Sequence, residues 1–222
     1  MNKPIVYISP SNQTENKYAV GSTNEAEQCS KIGAAVAAAL ERCGMAGMLP
    51  GAGCTTLAAR VKESNTAGVY LHMPIHTNAF NGNVAGLRIF VHKLGGEAEA
   101  IAKAIAAELA PITPGESDGI SAMPGLYEIK NTNAVCVYLE VGFHDNPTEA
   151  QWIIDHTEDI AEAICKGLCS HYGVTYVAPK PETDTLYRVQ IGAFSIRENA
   201  ESLLAKAKTA GFTDAFITEV KK

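Results

Sequence analysis

Apolar residues recur along this chain with two different periods. Between Asn24 and Cys43 they fall at Cys29, Ile32, Val36, Leu40 and Cys43, the spacing of one helical face, and Gly44 ends the run. Thr23 or Asn24 can cap that helix, and Glu27 can complete a capping box. Short apolar or alternating runs at Pro4 to Ser9, Gly68 to Ile75 and Leu87 to His92 predict strands. Thr55 to Asn65 and the Ala-rich stretch Glu97 to Leu109, stopped by Pro111, predict helices. Leu126 to Ile129 and Ala134 to Leu139 read as a close strand pair. Pro147 to His171 reads as one helix or two, with Pro147 at a favoured first position. Strands alternating with helices predict an α/β fold in which helices cover both faces of a mixed, twisted sheet.

The alternation stops at Val177-Ala-Pro-Lys-Pro-Glu-Thr-Asp-Thr185, which has two prolines and little to bury. This predicts an extended linker over 177–184 between a main domain, 1–176, and a small module, 185–222. In that module Tyr187, Val189 and Ile191 alternate as in a strand. A helix follows from Arg197 to Thr209, with Gly211 as a stop, and a second strand around Ala215-Phe-Ile217 completes an α+β strand-helix-strand unit.

Composition narrows the class. At 46% hydrophobic and 19% charged residues the chain is globular rather than disordered or fibrous, and no apolar run reaches the roughly 20 residues that span a bilayer. The first residues, Met1-Asn-Lys-Pro-Ile-Val, do not read as a secretory signal, so synthesis in the cytoplasm is expected. Residues 185–222 carry six Lys and Arg against four acids, and the rest of the chain twelve against twenty. An acidic main domain argues against nucleic acid as a partner. The six cysteines (Cys29, Cys43, Cys54, Cys136, Cys165, Cys169) form no Cys-x-x-Cys pair and read as free, mostly buried thiols of a reducing compartment.

Sheets of this kind place chemistry at the carboxyl ends of their strands. The first strand runs into Ser9-Pro-Ser-Asn-Gln-Thr-Glu-Asn16, another into His76-Thr-Asn-Ala79 and a third into Glu140-Val-Gly-Phe-His-Asp-Asn146, while Glu25 opens the first helix. A histidine and carboxylates gathered at one sheet edge suit a hydrolytic Zn²⁺ site of three protein ligands and one water. The same residue types also occur at strand ends as solvated or hydrogen-bonded groups.

Three motifs make the pattern recognisable: Glu25 at a helix start, Pro74-Ile-His-Thr-Asn-Ala79 followed by Gly86, and Tyr138-Leu-Glu-Val-Gly-Phe143 preceded by Asn131-Thr-Asn-Ala134 and ending near Asn146. Over residues 4 to about 173 the chain resembles the zinc-dependent N-acetylmuramoyl-L-alanine amidases, in particular the phage-endolysin and spore-former autolysin branch, whose first strand ends in Ser-Pro-Ser. The resemblance implies Glu25 and His76 as zinc ligands and Glu140 as the catalytic carboxylate, in a peptidoglycan hydrolase that cuts between N-acetylmuramic acid and L-alanine. It also implies release to the cell wall by a holin or by mother-cell lysis. A wall-binding protein with little or no activity, and a zinc peptidase of the stem peptide, are the alternatives.

The wider family carries Asp-Pro-Gly-His-Gly-Gly after its first strand, whereas this chain has Asn12 where that ligating His belongs. Glu15, at a position where members of that branch often carry His, is the expected third ligand, with His72 or Asn12 as alternatives. His72 and His76 are about 13 Å apart on an extended strand, too far to share one ion. His144, Asn78, Arg88 and Lys130 are candidates for substrate contacts. The tail, which carries Leu186-Tyr-Arg-Val-Gln-Ile-Gly-Ala-Phe194, resembles the first half of a SPOR domain, a family that binds peptidoglycan stripped of its peptides. A half-repeat leaves an open sheet edge, so a homodimer through this module is expected.

Overall fold

The computed structural model describes residues 4–117, 119–180 and 189–220. They fall into two compact units, one running to Pro179 and the other starting at Lys180. The first is built on a six-stranded sheet in the order β2-β1-β3-β6-β4-β5. Its strands are β1 (Ile5–Pro10), β2 (Ala46–Met48), β3 (Leu71–Asn78), β4 (Arg88–Val91), β5 (Ile120–Ala122) and β6 (Val135–Phe143). Its helices are α1 (Glu25–Arg42), α2 (Leu57–Ala67), α3 (Glu97–Leu109), α4 (Tyr127–Asn131), α5 (Pro147–Asp155) and α6 (Thr157–Tyr172). The β4–β6 pair is antiparallel and the remaining pairs are parallel, so the sheet is mixed as expected.

The two faces differ in chemistry. Val6, Ile8, Leu71, Met73, Ile75, Val137 and Leu139 are buried with the apolar stripes of α1 (Ile32, Val36, Leu40), α3 (Ile101, Ile105, Leu109) and α6 (Ile160, Ile164, Leu168). Residues alternate between faces along a strand, so the other face receives Tyr7, Ser9, His72, His76, Tyr138 and Glu140. In the β3–β6 register His76 pairs with Glu140 and His72 with Cys136, which sets the polar side chains of the two central strands beside each other. The short helices α2 and α4 cover this polar face. Tyr7 donates to Glu63 of α2, His72 meets Ser64 of α2, and Ser9 donates to Glu128 of α4.

Two expectations need correction. Leu126 to Ile129 is not a strand: Tyr127–Asn131 forms the single-turn helix α4. Leu126 and Ile129, three apart, share one side of that turn and pack with Phe90, Cys136 and Tyr138, so an apolar pair that also fits a strand is satisfied by a helix. In the second unit α7 (Arg197–Thr209) forms where expected, but among the described residues neither 189–191 nor 215–217 is a strand. Val189, Ile191, Phe212 and Phe216 are exposed there, and two strands alone are at best marginal without a further apolar partner. Tyr187 of the expected strand and residues 181–184 of the expected linker lie outside the described residues.

Candidate metal and catalytic site

His76 lies near the carboxyl end of β3 and is surrounded by carboxylates. Its Nδ1 lies 2.8 Å from Oε1 of Glu25, the first residue of α1. The Asn24 side chain caps that helix by accepting from the Glu27 N–H, and this fixes Glu25, fully buried, against the strand end. Asn16 Nδ2 donates to the other Glu25 oxygen at 2.6 Å, and Gln13 Nε2 stands 3.4 Å from both Glu25 Oε1 and His76 Nδ1. Burial would raise the Glu25 pKa, but His76, Asn16 and Ser11 outweigh it and hold the carboxyl below its ordinary range. The Tyr138 ring stacks on the imidazole with centroids 4.6 Å apart.

On the far side of the ring, His76 Nε2 faces Oε2 of Glu128 at 3.9 Å. Glu128 is buried, and its other oxygen accepts from Ser9 Oγ at 2.5 Å and meets His72 Nε2 at 3.0 Å. Burial opposes its charge, yet His72, His76 and Ser9 pull its pKa down to about 2. His76 shows the reverse balance: burial disfavours the imidazolium, but Glu128, Glu25 and Glu140 raise its pKa to about 9.

Glu140 pairs with His76 across the β3–β6 ladder and with Arg88 across β4–β6. Burial pushes its pKa up to about 8; His76 opposes the rise and Glu25 adds to it. Behind it, Glu149 of α5 accepts from the backbone N–H groups of Gly86 and Phe143, tying the loop before β4 to the end of β6. Gly142 fits this arrangement because a Cβ there would meet the Glu149 carboxyl at 2.8 Å.

The structure thus brings Glu25, His76 and Glu140 together and adds Glu128 and Gln13, which sequence reasoning passed over. It does not bring Glu15 in: that side chain is exposed and accepts from Thr14 Oγ1. Asn12 Nδ2 donates to the Thr55 carbonyl instead, and both ring nitrogens of His72 are taken by Ser64 and Glu128. His144 is buried rather than an open loop imidazole: it stacks on Tyr18, and its Nδ1 lies 2.9 Å from the Thr77 carbonyl. Asn78 accepts from the Ala79 N–H, Arg88 donates to the carbonyls of Leu87 and Glu116 beside the Phe143 ring, and Lys130 is exposed on α4.

The donor set fits a divalent cation. Two buried carboxylates, Glu25 and Glu128, and the half-buried Glu140 surround one imidazole, and the atoms His76 Nε2, Glu128 Oε2 and Glu140 Oε2 are buried without a hydrogen-bond partner among the described residues. Histidine nitrogen and carboxylate oxygen are zinc donors. A second group belongs elsewhere: the Sγ atoms of Cys43, Cys165 and Cys169 lie within 4.8 Å of one another. Cys43 ends α1 and Glu25 begins it, a separation of about 27 Å at 1.5 Å rise per residue, so the thiols serve no ion at His76.

Residues 6–170 match the family model described as N-acetylmuramoyl-L-alanine amidase, and residues 171–222 match the SPOR domain model. The sporulation-specific N-acetylmuramoyl-L-alanine amidase of Bacillus subtilis (strain 168) is 23% identical over 154 residues, 69% of this chain and 58% of that protein. N-acetylmuramoyl-L-alanine amidase CwlM of Bacillus licheniformis is 26% identical over 165 residues, 73% of this chain and 62% of that protein. The chain therefore spans about six-tenths of the length of these relatives. The catalytic domain of CwlV from Bacillus (Paenibacillus) polymyxa var. colistinus has the same fold, with a TM-score of 0.66 at 19% identity over 78% of this chain and 99% of that one.

Proposed function

Because this chain belongs to the N-acetylmuramoyl-L-alanine amidase family, we propose that it hydrolyses the amide between the lactyl group of N-acetylmuramic acid and L-alanine in peptidoglycan. The observation that carries this reading is the juxtaposition of Glu25, His76 and Glu140 at one sheet edge.

Glu25 and His76 are the residues that hold zinc. The chemistry the ion supplies is that of a Lewis acid, which makes water nucleophilic near neutral pH and polarises the amide carbonyl. Glu140 takes the proton of the attacking water and returns it to the departing L-alanine nitrogen. Burial raises the pKa of Glu140 above that of an ordinary glutamate, which favours delivery of that proton to the leaving amine. Glu128, 3.9 Å from His76 Nε2, would take the outward N–H of the ring after a small adjustment, which would leave Nδ1 to the metal and strengthen it as a donor. Arg88, next to Glu140 in the β4–β6 ladder, is the residue we assign to the stem peptide.

The SPOR domain supplies the wall contact, and a catalytic unit tethered to a wall binder works at raised effective concentration on an insoluble substrate. Its exposed Val189, Ile191, Phe212 and Phe216 suit pairing with a second copy, which light scattering at tens of micromolar tests: a monomer removes the dimer. The hydrolysis is tested by digesting purified peptidoglycan and identifying the ends. New L-alanine amines together with free muramyl lactyl groups are expected; a new amine elsewhere in the stem would make the protein a peptidase.

A further inference from the structure

The geometry points to Gln13 as the third metal-binding residue, its side-chain amide oxygen occupying the position for which the first loop offers no histidine. This rests on the zinc reading above and concerns only which residue completes the site.

Three observations carry it. First, the Gln13 amide, His76 Nδ1 and Glu25 Oε1 form a closed triangle with edges of 3.4, 3.4 and 2.8 Å. Three donors about 2.0–2.1 Å from a tetrahedral zinc stand about 3.4 Å apart, which is the length of the two edges that Gln13 makes, while the third edge is the shorter hydrogen bond between His76 and Glu25. Second, the first loop sends its other candidates away, as Asn12 is engaged by the Thr55 carbonyl and Glu15 is exposed beside Thr14. Third, the amide is held in place. Gln13 N–H donates to Ser11 Oγ, and Asn16 Nδ2 bridges Gln13 Oε1 at 3.1 Å and Glu25 Oε2 at 2.6 Å.

In the metal-free arrangement Gln13 turns its NH₂ toward the carboxylate, as a hydrogen-bond donor should. A half-turn about its last side-chain torsion exchanges NH₂ for the carbonyl oxygen at the same place, because the two ends of an amide are nearly identical in shape. Asn16 keeps its bond to Glu25 through that turn but gives up its bond to Gln13 Oε1, so metal binding exchanges that hydrogen bond for a metal–oxygen contact.

Charge balance agrees. Replacing a neutral imidazole by a neutral amide leaves one anionic ligand, Glu25, in the set, whereas Glu15 would make two and place a third anion beside Glu140. The amide is the weaker donor. The carboxylate of Glu128 behind His76 offsets this by strengthening the imidazole.

The test compares zinc affinity, measured by competition with a chromophoric chelator, in the full chain and in the variants Gln13→Ala, Gln13→His, Asn12→Ala and Glu15→Ala, with thermal melts of each metal-free protein. Gln13→Ala is expected to weaken zinc binding by about 10- to 100-fold or more. Gln13→His should restore it, and Asn12→Ala and Glu15→Ala should stay within about twofold of the parent. Gln13→Ala binding as tightly as the parent overturns the assignment, as does Gln13→His remaining as weak as the alanine variant. A parent that binds no zinc and releases no L-alanine amines overturns the amidase reading itself, whereas a parent that does both while Gln13→Ala still binds normally removes Gln13 alone.

Discussion

His76 Nε2 and Glu128 Oε2 face each other across 3.9 Å, and neither has a hydrogen-bond partner among the described residues. Two complementary buried groups within about 1 Å of a hydrogen bond are a pair waiting for a small adjustment of the ring. Ser9 and His72 hold the other Glu128 oxygen, so the carboxylate is the fixed member. Glu128→Gln keeps the shape but removes the charge behind the imidazole. Zinc affinity should fall by about 10- to 100-fold, and Glu128→Asp should recover part of it. Unchanged affinity in Glu128→Gln would reduce Glu128 to a structural residue.

Glu140→Gln should keep the fold and the zinc if the carboxylate has the proposed role in proton transfer rather than in binding. Turnover of purified peptidoglycan should drop by about 10²- to 10⁴-fold. Activity close to that of the parent would take the proton-transfer role away from Glu140.

This site was partly legible in the sequence. Glu25, His76 and Glu140 sit at a capped helix start and near the ends of two apolar strands, positions that alone also suit ordinary polar residues, and it is the motifs around them that single them out. Glu128 is hidden for a physical reason. Leu126-Tyr-Glu-Ile129 fits a strand as well as a helical turn, and only the packing of Leu126 and Ile129 on Cys136 and Tyr138 decides for the turn that directs Glu128 inward. Gln13 is hidden because the family's ligating His falls on its neighbour Asn12 and Glu15 is the expected substitute, whereas which loop residue turns inward depends on the Asn12 contact with Thr55, 43 residues away. The strands β2 and β5, three residues each, are too short to leave a period and exist through pairing with β1 and β4.

The metal-free protein should lose stability as pH rises from about 6 to about 9. Glu140, raised from 4.5 to about 8 by burial, and His76, raised from 6.5 to about 9 by its carboxylates against the effect of burial, both hold protons in the folded state that the unfolded chain releases. A native state that binds more protons is favoured at low pH. The His76 contribution is complete below 6.5 and gone above 9, and that of Glu140 is complete below 4.5 and gone above 8. Zinc must displace the proton on His76, so the rise in Tm on adding zinc should be larger at pH 8 than at pH 6. Melting curves in chelator and in zinc at both pH values check this, and a chelated protein whose Tm climbs over the interval contradicts it.

Cys43, Cys165 and Cys169 are buried and free, with Cys165 Sγ 3.7 Å from Cys43 and 3.9 Å from Cys169. Cys54 alone of the six is partly exposed. In the native protein a thiol reagent should react quickly with no thiol besides Cys54, and with all six after denaturation. Cys165→Ala should leave the zinc content at about one ion per chain, because the proposed zinc site lies at the other end of α1. Loss of the ion in that variant would move the metal to the thiols.

Removing residues 180–222 should separate catalysis from wall binding. The unit that ends at Pro179 contains the whole sheet, the main apolar core and every side chain placed at the site. The shortened protein should therefore melt cooperatively and cut soluble muramyl peptides at the rate of the full chain. On insoluble walls the tether matters, because a bound SPOR domain converts each further encounter into a local one. Digestion of whole sacculi at submicromolar enzyme should slow by about 10-fold or more, and the difference should shrink as enzyme concentration rises past the binding constant of the module. Pelleting with sacculi measures that binding directly, and it should be strongest on glycan already stripped of its peptides. Equal rates for both proteins on walls at every concentration would show that the C-terminal unit adds no effective concentration.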